Sequence, residues 1–104
     1  MNENETPGPL PATPRSILTE AEEIVGGQRR IDYGPCTDSF EIIAAHWSTY
    51  LNYEISGQDV AMLMALLKIC RYKNGHTRDS LVDLAGYASC ADQIDRDYER
   101  RARK

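Results

Sequence analysis

Two cations and two carboxylates bracket a turn in KICRYKNGHTRDSLVDLAGYA, residues 68–88: Lys68 and Arg71 precede Asn74-Gly75, and Asp79 and Asp83 follow it. Carboxylates at i and i+4 can hold Mg²⁺, which takes one or two of them together with waters and substrate phosphates. Lys68 and Arg71 can then meet those phosphates. The amino end of the following helix, beside Thr77 and Arg78, also favours an anion. Asp79 and Asp83 are thus candidate metal ligands, and Mg²⁺ is the candidate cofactor. The same four charges also read as a structural ion-pair network that keeps a helical hairpin in register with no ligand at all.

Upstream, R-x-x-D-Y-G at Arg29 to Gly34 offers a second set. Folded over the hairpin, this segment would let Tyr33 stack on a base while Arg29 contacts phosphate and Asp32 lies beside them. The plainer reading is a turn whose tyrosine plugs the core edge, since an aspartate before Tyr-Gly-Pro is ordinary turn chemistry. His46 and His76 have no carboxylate spacing that marks a zinc site. No nucleophile motif supports a Ser-His-Asp or Cys-His arrangement, and no glycine-rich phosphate loop is present, which speaks against covalent catalysis.

The elements that must position these groups are helical. Ile17, Ala21, Ile24 and Val25 recur at helical spacing until Gly26-Gly27, giving a short first helix with Glu20 and Glu23 on its outer face. QRRIDYGPC reads as a polar connection with a turn at Gly34-Pro35. The second helix is expected from Asp38, capped reciprocally by Asp38 and Glu41, with Phe40, Ile43, Ala44, Trp47 and Leu51 facing the core. Ser56 caps the third, whose run from Val60 to Leu67 lacks any polar residue and so predicts a central helix touched on several sides. Asn74-Gly75 stops it. Thr77 caps the fourth, expected from about Arg78 through Ile94 before fraying into RDYERRARK, whose closing basic run suits a helix C-terminus.

No alternation typical of strands and no internal repeat is present. The prediction is an all-α small bundle of three principal helices plus a short N-terminal one, occupying residues 16–95. A proline-rich arm, disordered or extended, covers residues 1–15, and a charged tail residues 96–104.

In an antiparallel hairpin, residues equally far from the turn share a height. Arg71 and Asp79 are each four from Gly75, and Lys68 and Asp83 seven and eight, so two opposite-charge pairs are expected to meet as one sheltered cluster. Asp79, Asp83, Gly86, Tyr87 and Cys90 share a face of the last helix. Gly86 there costs roughly 1 kcal/mol of helix stability relative to alanine, which a close approach by another helix or a ligand would explain.

Composition narrows the partners. In 104 residues, 41% hydrophobic and 27% charged, there is room for one small core, and self-association would help so small a domain. A formal charge of −4, with 12 basic against 16 acidic residues, gives no basic field for long nucleic acid or an anionic membrane. No apolar run approaches a membrane span and no secretion signal is present, so a cytoplasmic location in the cell that makes it is expected. Cys36, Cys70 and Cys90 are widely spaced, suggesting unlinked core thiols in a reducing compartment.

From about Ile17 to Ile94 the chain resembles a family of small phage and prophage proteins known only as a domain of unknown function. The resemblance rests on Arg29, Asp32-Tyr33-Gly34, Phe40 with Ile43, Ala44 and Trp47, Val60 to Arg71, then Asp79-Ser80, Asp83 and Ala85-Gly86-Tyr87-Ala88. It implies a bacterial host cell and no particular activity. More remotely, the chain is similar to the MazG-like all-α nucleoside-triphosphate pyrophosphohydrolases, which use acidic residues of two neighbouring helices to bind Mg²⁺ and set a water on a nucleotide phosphate. It departs from them in offering Glu41 alone where an E-x-x-E pair is expected, and Lys68 and Arg71 where carboxylates are expected.

The expected function is the handling of a nucleotide or nucleotide-derived phosphate, by binding or by Mg²⁺-dependent pyrophosphate cleavage, through Arg29, Asp32, Tyr33, Lys68, Arg71, Asp79, Asp83 and Tyr87. The alternative is a non-catalytic module that docks on a host or phage partner.

Overall fold

Among the described residues the chain forms five helices, in the order α1 (Ile17–Gly26), α2 (Gln28–Tyr33), α3 (Cys36–Leu51), α4 (Gly57–Gly75) and α5 (Arg78–Ala102). They are seen in a computed structural model that describes residues 15–103. The fold is all-α. The arm expected over residues 1–15 lies, save for Arg15, outside the described residues.

α4 and α5 form the antiparallel hairpin, and α5 serves as the hub against which α1, α3 and α4 pack. Small residues make this close: Gly57, Val60, Ala61 and Ala65 are buried on α4, and Ser80, Val82, Gly86, Cys90 and Ile94 on α5. The inner side of α4 is a row of small side chains, so helix axes can approach without large residues between them.

Local chemistry fixes the ends. Ser16 accepts from the Thr19 amide at 3.1 Å to start α1. Ser56 and Asp59 form the reciprocal capping box of α4, with Asp59 accepting from the Ser56 amide at 2.9 Å and Ser56 from the Asp59 amide at 3.1 Å. His76, left-handed at φ 51°, ends α4. Between α3 and α4, Ser48 Oγ accepts from the Ile55 amide at 2.8 Å and donates to the Ile55 carbonyl at 3.2 Å, closing the loop.

Four expectations need correction. The polar connection QRRIDY is a helix: Gln28 and Asp32 are joined at 2.7 Å one turn apart, and Gly34 at φ 79° closes it by donating to the Arg30 carbonyl. α3 begins at Cys36, two residues before Asp38, because Pro35 holds φ at −60° and suits a helix start; Glu41 does not box with Asp38. Leu51, expected in the core, is exposed. The helix predicted to fray after Ile94 continues to Ala102, since Thr37 donates to Asp97, and Tyr98 and Arg101 donate to Glu41 at 2.7 and 3.0 Å. These bonds tie the polar end of α5 to the start of α3.

Glu41 carries a pH signature. The hydrogen bond from Tyr98, reinforced by that from Arg101, holds its carboxyl below the usual glutamate range. The folded state therefore binds fewer protons there than the unfolded chain. Its contribution is complete above about pH 4.3, the unfolded value, and is lost as the pH falls through the lower folded value. Tyr98→Phe is expected to cost about 0.5–1.5 kcal/mol at pH 7. Urea titrations at pH 7 and pH 3 should show the gap between wild type and variant shrinking with acid; an equal gap at both would show that Glu41 is not the partner that matters.

Candidate functional site

A cleft of about 320 Å³ opens between α1, α2, α3 and α5. Its wall is mostly apolar, with Ile24, Val25, Phe40, Ile43 and Val82, and its polar groups are few: Arg29, Tyr33, Ser39, Asp83 and Tyr87. α2 brings Arg29 and Tyr33, one helical turn apart, to the cleft together. Tyr33 is 68% exposed, so much of its side chain is accessible to a ligand. Tyr87 lines the same cleft from α5, its ring centroid 6.2 Å from that of Phe40 and tilted 39° to it. Arg29 forms no ion pair with another described residue.

Asp83 meets Lys68 of α4 at 2.8 Å, with the two side chains 31% and 16% exposed. This is one of the two cross-hairpin pairs expected. The other does not form: Arg71 and Asp79 are both exposed, and no ion pair links them. The sheltered cluster of four is therefore a single pair, because equal height along two rods does not make side chains point at each other. The first turn of α5 is claimed instead by Arg78, which pairs with Glu20 of α1 and donates to the Arg15 carbonyl. Asp32 is held by Gln28 on the exposed side of α2.

Of the residues singled out from sequence, Arg29, Tyr33, Asp83 and Tyr87 thus share the cleft, with Lys68 behind Asp83, while Asp32, Arg71 and Asp79 stand apart from it. The donors for Mg²⁺ do not fit well as arranged. Asp83 is already neutralised by an ammonium group, Asp79 faces solvent, and no three His, Cys, Asp or Glu among the described residues group as a metal site.

The cysteines are a further correction. Cys36, at the start of α3, and Cys90, on α5, are joined as a disulfide across 54 residues with Cα atoms 5.5 Å apart, and both line the cleft; Cys70 is free and exposed. No spacing rule brings residues so far apart together, although Cys90 on the face shared by Gly86 and Tyr87 placed half of the pair. Ser39 and Phe40, also in the wall, were missed as site residues because both read as ordinary α3 positions.

Gly86 lines the floor. A Cβ there would lie 3.5 Å from Val25 Cγ2, an ordinary contact, so α1 does not demand glycine. Gly86→Ala is expected to raise stability by about 0.5–1 kcal/mol through helix propensity while narrowing the cleft. A thermal melt checks this; a lower Tm would mean that α1 packs too tightly for a methyl group.

Fold and site together define a small all-α domain with a ligand-sized, mostly apolar cleft that Arg29 and a salt-bridged carboxylate, Asp83, help to line. Residues 16–95 match the family described as domain of unknown function DUF6378, and the chain belongs to that family. It is 47% identical over 81 residues to the Gene 55 protein of Mycobacterium phage L5 and 49% identical over 80 residues to the Gene 55 protein of Mycobacterium phage D29. Each match covers 76% of this chain but 52% and 53% of the respective relative, so the chain spans about half the length of the phage proteins it matches. No solved structure is significantly similar to it. No helix among the described residues is long and apolar enough to cross a membrane.

Proposed function

We propose that this phage-family domain binds a nucleotide or nucleotide-derived phosphate, with the ligand's ring between Tyr33 and Tyr87 and its phosphate on Arg29. The observation that carries the reading is the convergence of Arg29, Tyr33, Asp83 and Tyr87 on a single cleft. Its volume of about 320 Å³ lies at the low end of small-molecule sites, which run from about 300 to 1,000 Å³, and suits a mononucleotide better than a dinucleotide. The guanidinium supplies a bidentate anion contact, the apolar wall removes the ring from water, and the Lys68-held carboxylate offers an acceptor for a base or ribose donor.

Binding is the form the donors favour. Mg²⁺-dependent pyrophosphate cleavage through Asp79 and Asp83 would first require Lys68 to release Asp83. Thermal melts across a nucleotide panel, with and without Mg²⁺, decide between these readings, because a ligand selective for the folded state raises Tm. The expected result is a shift from a mononucleotide that persists in chelator and disappears in Arg29→Ala. A shift that needs Mg²⁺, with product in the mass spectrum, would establish the hydrolase instead. No shift from any nucleotide would remove the proposal.

A further inference from the structure

α4 is apolar on both sides, yet the fold covers one. Its inner side carries buried Val60, Ala61 and Ala65, whereas Met62, Leu63, Leu66 and Ile69 on the outer side are 46, 42, 59 and 50% exposed. The central helix touched on several sides that the sequence predicts is thus open along its outer face. We propose that a second copy of this chain covers it, with α4 packing antiparallel on its own counterpart about a two-fold axis at Leu66.

The charge pattern supports this occupant. At about 100° per residue, Asp59, Met62, Ile69 and Lys73 all fall within roughly 60° of Leu66 around the helix. Asp59 and Lys73 are each seven residues from Leu66, Leu63 and Ile69 each three, and Met62 and Cys70 each four. An antiparallel copy therefore sets Asp59 of one α4 against Lys73 of the other, twice, while the apolar positions meet each other between them. A parallel copy would set like charges together. Both residues are exposed and neither forms an ion pair with another described residue; Asp59 gives only Oδ2 to its capping box. Aligning the helices head to tail also opposes their dipoles favourably.

The neighbouring surface accommodates such a partner. An apolar groove beside α4 is lined by Met62, Ala65, Leu66 and Ile69, and on α5 by Leu84, Ala85 and Ala88, where the small residues allow close approach. A residue on a two-fold axis meets itself, which makes the contact self-complementary and closed. No α4 residue lines the ligand cleft, so this interface and nucleotide binding stand or fall separately.

Sedimentation of the full chain at tens of micromolar is expected to give twice the monomer mass of 11.7 kDa. Leu66→Glu should halve that mass with helicity unchanged, since the side chain is solvent-facing in the single chain. Lys73→Glu should weaken the dimer several-fold, and less so as salt is added. In a Cys70→Ser background, Leu66→Cys should yield a covalent dimer on oxidation. A wild-type chain that stays monomeric, leaving the face to a host or phage protein, would overturn the proposal, as would a dimer that Leu66→Glu leaves intact.

Discussion

Replacing Ile94 with alanine is expected to lower the unfolding free energy by about 2–5 kcal/mol, the cost of removing a large buried side chain and leaving its space unfilled. Ile94 is 0% exposed, and its Cδ1 lies 3.4 Å from where a Cβ on Gly57 would stand, with Phe40 beside it. It therefore plugs the junction of α3, α4 and α5. For a domain whose total stability is of the order of 5–15 kcal/mol, this single change removes a large share. Urea unfolding should show a lower midpoint at constant slope, and Ile94→Val should cost only about 0.5–1.5 kcal/mol. A loss under 1 kcal/mol for alanine would mean that the three helices are not locked together at this point.

The second large effect concerns Lys68 and Asp83. Lys68→Met leaves a mostly sheltered carboxylate without its ammonium, and is expected to cost about 1–3 kcal/mol, the penalty of stranding a polar group. The double change Lys68→Met with Asp83→Leu should recover most of this, because replacing both members of a sheltered pair by apolar groups is often close to neutral. The coupling read from the four-member cycle would then be clearly non-zero, whereas additive losses would show the pair to be solvent-screened. The same cycle made with Arg71 and Asp79 should show no coupling, since both are exposed and unlinked.

That contrast shows where sequence reasoning reaches and where it stops. Helix α4 was legible at both ends because Ser56 and Asn74-Gly75 are local signals, each acting within a few residues; the reciprocal partner Asp59 was not singled out. Lys68 opposite Asp83 was legible from the height of each along the hairpin. Arg71 opposite Asp79 followed the same arithmetic and failed, because the direction of a side chain around its helix depends on how the rods are rotated, which packing decides. α2 escaped notice because QRRIDY has neither apolar periodicity nor a capping residue; a glutamine–aspartate bond and two flanking glycines set it. The last two turns of α5 were missed for a related reason. Their support comes from Thr37 and Glu41, about 60 residues earlier in the chain, and apolar periodicity carries no information about such partners.

The site was half legible in the same sense. Arg29, Tyr33 and Asp83 were selected for their chemistry and Tyr87 for sharing the helix face of Asp83, and the fold brings all four to one cleft, but the cleft's apolar wall and its cystine were not foreseen. That wall changes the chemistry expected there. A group of four charges with Mg²⁺ would suit phosphate cleavage, whereas a hydrophobic slot with Arg29, which has no ion-pair partner among the described residues, would suit retention of a flat anion.

Amide chemical-shift mapping of the full chain titrated with the mononucleotide that raises Tm most is the most direct test of this claim. The account predicts changes confined to residues around 21–43 and 82–90, saturating together and absent in Arg29→Ala. Changes centred on Asp79 and Arg71, or on the outer face of α4, with the cleft amides unmoved, would contradict it.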